Sequence, residues 1–492
     1  MCISEKNKRL ARLFSGGALL LLAGCTVGPD FKAPAPPAVN QYTAESQLQA
    51  TAPARAVAQT FDPAAALPAD WWSLFSAPLL NQAVKEALQA SPSIASTEAT
   101  LRQVRDELKS GEGVFYPQVT AGFDVTREHP ASNATPLKFQ EGTFNLFTLS
   151  GGISYTLDIF GGERRQVEGL GAAVDYQTNV ARAAALTLAS NVANTLIALA
   201  AYRAEIQATE EIVEFEKKQV ALAGVQAIAG TQTYAAQLSL QSQLESTKAA
   251  LPPLNQKVAQ AEHLLAVLEG KFPAQSQATS MNFDALSLPQ KLPLSLPSSL
   301  TKERPDILEA EANLHAASAQ IGVATAAMLP NITLNGGAGY SATALSSLFA
   351  GPSNLWSLAG GITQPIFEGG TLYYRREAAK DAYDVAAANY QQTVLTAFQQ
   401  VADTLRALEH DAEALAAQDR VVATAHRSLE LVQANYAGGM ATYSEVLIAD
   451  AQYGQARIAD IQANASRYQD TVALFAALGG GWWNDSKTLA SR

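Results

Sequence analysis

The chain has 492 residues, is 48% hydrophobic and 16% charged, and carries a formal net charge of −11 with only two cysteines. That length leaves room for two or three domains, and the acidic balance argues against nucleic acid or anionic lipid as a main partner. Two cysteines make no disulfide framework, so a chain of this size has to hold by packing and assembly alone.

Basic residues come first, Lys6, Lys8, Arg9 and Arg12, then an apolar run from Leu13 to Ala23. A bilayer-spanning helix needs about 20 apolar residues. A shorter run behind a positive segment, ending in small residues, reads as a cleaved signal peptide over residues 1–24. Leu22-Ala23-Gly24-Cys25 resembles the bacterial lipoprotein box, in which the cysteine becomes the acylated N-terminus. Cys2 then leaves with the leader. Thr26 follows Cys25 in place of the aspartate that resembles an inner-membrane retention signal, which points to the outer membrane. Two or more acyl chains give stable anchoring.

Residues 25–75 read as an extended N-terminal tether, rich in Pro and Ala, with "APAPPA" at 33–38 and "DPAAALPAD" at 62–70. Trp71, Trp72 and Phe75 look like anchors that pack against the body. An amphipathic helix follows, with Leu80, Val84 and Leu88 on one face.

The body is duplicated. "SPSIASTEATLRQVRDELKSGEGVFYPQV" (91–119) pairs with "RPDILEAEANLHAASAQIGVATAAMLPNI" (304–332), and "NVANTLIAL" (191–199) with "QVADTLRAL" (400–408). Two repeats are expected, 76–270 and 299–481, joined by a Pro- and Ser-rich linker at 271–298 and followed by a tail at 482–492. Each repeat runs from a helix ending at a proline (Pro117, Pro330) through two alternating segments to a long helix, a glycine turn and a second helix. The alternating segments predict strands at about 118–128, 143–158, 331–342 and 354–366. In the second of them Ile153, Tyr155 and Leu157 share one face, with Ser154 and Thr156 on the other.

The long helices run without proline from Glu163 to about Ala227 and from Tyr373 to Tyr436. Each reaches roughly 95 Å at the rise of an α-helix. Val394, Phe398, Val401, Leu405, Leu408, Ala412 and Leu415 keep the 4-3 spacing of a coiled-coil seam. Residues 183–202 carry no charge, but Thr187, Ser190, Asn191, Asn194 and Thr195 interrupt them, so a buried coiled-coil helix is expected there rather than a membrane span. The fold class is therefore mostly α with a membrane β-barrel: long antiparallel helical hairpins plus four strands per chain. Four strands cannot close a barrel, and open edges are forbidden in lipid. Several chains must contribute to one barrel; these physical limits leave their number open.

"CTVGPDFKAP", "WWSLF", "SYTLDIFGGERRQVEGLGAA" (154–173), "ALPPLNQKVAQAEHLLAVLEG" (250–270), "RPDILEAEANLHAASAQIGVATAAMLPNITL" (304–334) and "QPIFEGGTLYYRREAA" (364–379) resemble the TolC-like outer membrane efflux proteins, in particular the lipoprotein branch that includes NodT. The resemblance implies a homotrimer with a twelve-stranded barrel continuous with an α-helical periplasmic cylinder. It implies an adaptor protein and an inner-membrane pump of the RND type as partners, and a passive exit duct for small toxic compounds. It places the hairpin tips, Gly230 and Thr231 in the first repeat and Gly438, Gly439 and Met440 in the second, toward the adaptor. It also puts a resting aperture on the second hairpin. Glu445 matches one acidic position of that aperture, a second such position falls on Ile448, and Asp450 lies two residues further on. Two alternatives stand beside this reading: a type I protein secretion duct, and a lipid-anchored periplasmic coiled-coil spacer.

Enzyme signatures are missing. The sequence has no P-loop, nucleophile elbow or cysteine nucleophile, and His129, His263, His315, His410 and His426 show no metal-ligand spacing. No cofactor is expected, and transport energy has to come from a partner.

Overall fold

The computed structural model describes residues 26–45, 49–55, 57–129, 142–275 and 281–484. The leader and Cys25 lie outside the described residues. A short strand β1 (Thr60–Asp62) is followed by α1 (Pro78–Ala90), α2 (Pro92–Glu112), β2 (Gln118–Glu128), β3 (Phe144–Leu157), α3 (Gly162–Ile228), α4 (Tyr234–Ala249) and α5 (Leu251–Leu268). Then come β4 (Lys291–Pro293), α6 (Pro297–Glu303), α7 (Pro305–Ala326), β5 (Asn331–Ala342), β6 (Asn354–Thr363), α8 (Thr371–Ala437) and α9 (Tyr443–Ala477). The order helix, two strands, long helix, returning helix occurs twice.

Two of the differences from the sequence reading trace to proline. The returning helix of the first repeat breaks at Ala250, because Pro252 and Pro253 sit in the first turn of α5 and supply no backbone donor. Its counterpart α9 contains no proline and runs unbroken for 35 residues. Strand β6 stops at Thr363 rather than 366, since Pro365 cannot add a ladder hydrogen bond.

The chain divides into two compact units. One comprises the described residues within 26–34, 101–176 and 310–390. It holds a four-stranded antiparallel sheet in the order β2-β3-β5-β6. The other comprises the described residues within 35–100, 177–309 and 391–484, and it contains the main hydrophobic core.

In that core Trp71, Phe75, Leu80 and Val84 pack with Leu196, Ile197, Val401, Leu408, Val472 and Phe475. The Trp71 and Phe75 rings lie 5.6 and 6.1 Å from the ring of Phe475. These aromatics are buried packing anchors. Leu188, Val192, Leu196, Ile197 and Ala200 are buried in the same cluster, so the uncharged stretch of α3 is core helix.

The N-terminal segment and the central linker take part in this core as well, which goes beyond a surface tether and a spacer. Strand β1 pairs in parallel with β4, and Gln59, Met281 and Leu292 are fully buried. Arg467, also buried, donates from Nε to Gln59 Oε1 (3.1 Å) and from Nη2 to the Val57 carbonyl (3.1 Å). A buried guanidinium without such acceptors costs several kcal/mol, so the segment around Val57 and Gln59 is fixed to α9 by charge-assisted hydrogen bonds as well as by apolar contact.

Phe75→Ala removes a fully buried ring and should destabilise the protein by about 3–5 kcal/mol. Leu79→Ala, on the exposed side of α1, should stay within about 0.5 kcal/mol of the parent. Chemical denaturation followed by far-ultraviolet circular dichroism checks both; equal midpoints for the two variants would contradict this account of the core.

Candidate channel wall and aperture

In the sheet, directly paired residues of neighbouring antiparallel strands share a face. One face carries Val119, Phe123 and Val125 of β2; Leu149, Ile153 and Tyr155 of β3; Leu334 and Tyr340 of β5; and Trp356, Leu358 and Ile362 of β6. The other carries Gln118, Thr120 and Asp124, then Thr148, Ser150 and Ser154, then Thr333, Asn335 and Ser341, then Ser357 and Thr363. Thr148 and Ser341 hydrogen-bond across it at 3.1 Å. Most of these apolar side chains are exposed, among them Val119 at 75%, Trp356 at 76% and Leu358 at 81%. A sheet with one exposed oily face and one polar face suits lipid on one side and water on the other. Among the described residues strands β2 and β6 each have one neighbour, so the sheet has two open edges.

At the end of β3 the chain turns into α3 with an aspartate cap. The Asp158 carboxylate accepts from the backbone N–H of Glu163 (3.1 Å) and Arg164 (3.0 Å), two of the donors a helix start leaves unpaired. The segment that follows Cys25 is clamped against this corner. Val27 N–H donates to the Phe160 carbonyl (3.0 Å). Arg165, 5% exposed, donates to the Val27 carbonyl (3.2 Å) and pairs with Asp30 (2.6 Å). The Phe31 ring stacks on His315 at 4.4 Å, and His315 in turn hydrogen-bonds Glu168. Gly28 has φ +91°, and a Cβ there would lie 2.5 Å from the Gly322 Cα, so this close approach admits only glycine.

In the other unit both hairpin tips close by the same device. Gly230 N–H donates to Ala227 O and Thr231 N–H to Gln226 O; Gly439 N–H donates to Tyr436 O and Met440 N–H to Asn435 O. With φ +75° at Gly230 and +73° at Gly439, these are paired Schellman turns. Gly230, Thr231, Gly438, Gly439 and Met440 are all exposed. The tips are tied to each other. Tyr436 Oη donates to Gln226 Oε1 (3.0 Å), Gln232 Nε2 donates to Tyr436 Oη (3.3 Å), and Ala223, Leu240, Tyr443 and Val446 form a small core beside them.

The structure separates the three aperture candidates. Glu445 and Ile448 are exposed, Ile448 at 56%. Asp450 is 3% exposed and sits near Glu216 of α3, so it lines no opening in this conformation. Its two-residue step from Ile448 turns it to the opposite side of α9, where the first hairpin covers it. Glu445 has a local duty as well. Its Oε2 accepts from Thr442 N (2.5 Å) and Thr442 Oγ1 (2.9 Å), which caps α9 and holds the carboxyl below its usual range. Sequence reasoning did not single out Glu216, Gln226 or Tyr436. Glu216 belongs to an ordinary charged stretch of α3, and it is buried between α4, whose Thr247 donates to it, and α9, which carries Asp450. No group of three or more His, Cys, Asp or Glu suited to a metal ion occurs among the described residues.

The profile of the family described as "Outer membrane efflux protein" matches residues 83–271 and 296–480. The chain is 29% identical over 463 residues to the cation efflux system protein CusC of Escherichia coli O157:H7, covering 94% of this chain and 97% of that protein. It is 28% identical over 467 residues to the toluene efflux pump outer membrane protein TtgC of Pseudomonas putida, covering 95% and 94%. The solved structure of the outer-membrane channel OprN superposes with a TM-score of 0.85 at 25% identity, covering 93% of this chain and all of that one. The chain belongs to the outer membrane efflux protein family.

Proposed function

We propose that the chain is the exit duct of a tripartite efflux pump. Three copies join their sheets edge to edge into one twelve-stranded barrel, polar face inward, and their helices continue it as a periplasmic cylinder. The hairpin tips meet a periplasmic adaptor, and an inner-membrane pump of the RND type supplies the energy. The observation that carries this reading is the sheet with an oily face, a polar face and two open edges. About half of the backbone groups of an edge strand point away from its single neighbour. Each such group left unpaired in hydrocarbon costs roughly 2–7 kcal/mol. For two strands of 11 and 10 residues that exceeds the 5–15 kcal/mol by which a whole domain is stable. Pairing with further copies removes the cost. Each long helix spans 67 residues, about 100 Å, a length suited to crossing a periplasm.

CusC is named for cations and TtgC for toluene. One architecture thus serves unlike cargoes, and selection falls to the pump. Cys25 is the lipidation site in this reading, and the clamp on residues 27–31 supports an anchor held beside the sheet's end. Glu445 and Ile448 set the resting aperture. Copies of Glu445 gathered around one axis repel each other and favour cations, while Ile448 narrows the opening as an apolar constriction.

In planar bilayers the reconstituted chain should conduct poorly at rest. Ile448→Ala should raise the conductance several-fold, and Glu445→Ala should lower cation selectivity. Unchanged conductance and selectivity in both variants would remove these residues from the aperture. Metabolic labelling with radioactive palmitate should mark the parent and leave Cys25→Ser unlabelled; label retained in that variant would place the acyl group elsewhere.

A further inference from the structure

Between the hairpins, Glu216 of α3 is 2% exposed and Asp450 of α9 is 3% exposed. Glu216 Oε1 accepts from Thr247 Oγ1 of α4 (3.0 Å), while its Oε2 is buried with no partner. The Tyr443 hydroxyl, in the same place, is also buried and unpartnered. The polar groups that act on the two carboxyls are one another, Thr247 and Gln243 of α4, Tyr443 of α9 and, behind it, Tyr436 of α8. None of these is basic. The ion pair that follows along the same two helices, Glu211 with Arg457, is satisfied within itself. Two carboxylates taken out of water without a counter-ion cannot both stay charged. Burial and the Glu216 charge push the Asp450 carboxyl up to about 7, and burial raises Glu216.

We propose that Glu216 and Asp450 form a proton-binding site that fastens the second hairpin to the first. A proton held there keeps α9 on α3; its loss to solvent leaves two like charges in a poorly solvated contact, and the second hairpin moves away. This rests on the reading above in one respect: α9 also carries Glu445 and Ile448, so release of the contact widens the aperture. The sign follows from linkage. Both acids hold protons more tightly in contact than when solvated, so the contact is firm below the ordinary carboxyl range and weakens as pH rises toward and through about 7. One proton released per opening event shifts the open-to-closed ratio about tenfold per pH unit within that window.

The test uses the full acylated protein with spin labels at Leu222→Cys on α3 and Ser444→Cys on α9, both exposed positions. The label separation should lengthen between about pH 5 and pH 8, and bilayer conductance should rise in parallel. The Glu216→Gln/Asp450→Asn variant should keep the short separation and low conductance at every pH. Labels that do not move with pH, or that move equally in the double variant, overturn the proton site. Labels that move without a change in conductance leave the site standing and overturn the aperture assigned to α9. Glu216→Gln alone, which keeps the acceptor for Thr247 and leaves Asp450 buried, should weaken the pH response without abolishing it. Should the double variant fail to assemble, a full pH response in this single variant overturns the site.

Discussion

Backbone amides and carbonyls in hydrocarbon have no water to turn to. That constraint governs the sheet. Four strands satisfy each other internally and leave β2 and β6 half-paired, while the register places most of the oily side chains together on one face. Such a sheet is neither a core for a lone chain nor a barrel by itself. In the proposed assembly, further copies supply the missing strands, and the polar face with Thr120, Ser150, Thr333 and Ser357 becomes the wall of a water-filled passage.

Duplication supplies two hairpins of strand and two of helix, and the copies have diverged where their duties differ. Both tips close with a left-handed glycine and a threonine that opens the next helix. Beyond the turn they part. The first hairpin has Ala236, Ser239 and Gln241 where the second has Glu445, Ile448 and Asp450. Tyr234 is 68% exposed, but its counterpart Tyr443 is 9% exposed and caps the inter-hairpin core. The acidic and apolar groups assigned to closing the passage thus reside on one of the two hairpins. The other, through Glu216 and Gln226, provides what that hairpin docks against.

Much of the architecture was legible in the residues because it rests on periodic patterns. Alternation located the four strands of the β2-β3-β5-β6 sheet, the absence of proline measured α3 and α8 to within two residues at each end, and the 4-3 seam from Val394 to Leu415 ran through buried and half-buried positions. The short segments were harder. Residues 49–62 and 281–294 carry no period, and their place in the core depends on the β1–β4 pairing and on Arg467, both of which join distant parts of the chain. At the tips, glycine and threonine spacing revealed the turns. The burial of Asp450 was not legible, because it depends on which face of α9 the first hairpin covers. The capping duty of Glu445 follows the Thr-x-x-Glu spacing of Thr442 and Glu445.

Closure of the sheet by neighbouring copies is the claim on which duct and aperture both stand. Native mass spectrometry of the acylated protein, released from outer membranes in mild detergent, addresses it without mutation or label. A single species at the mass of three chains is the predicted result; a population that stays at the mass of one chain would contradict it.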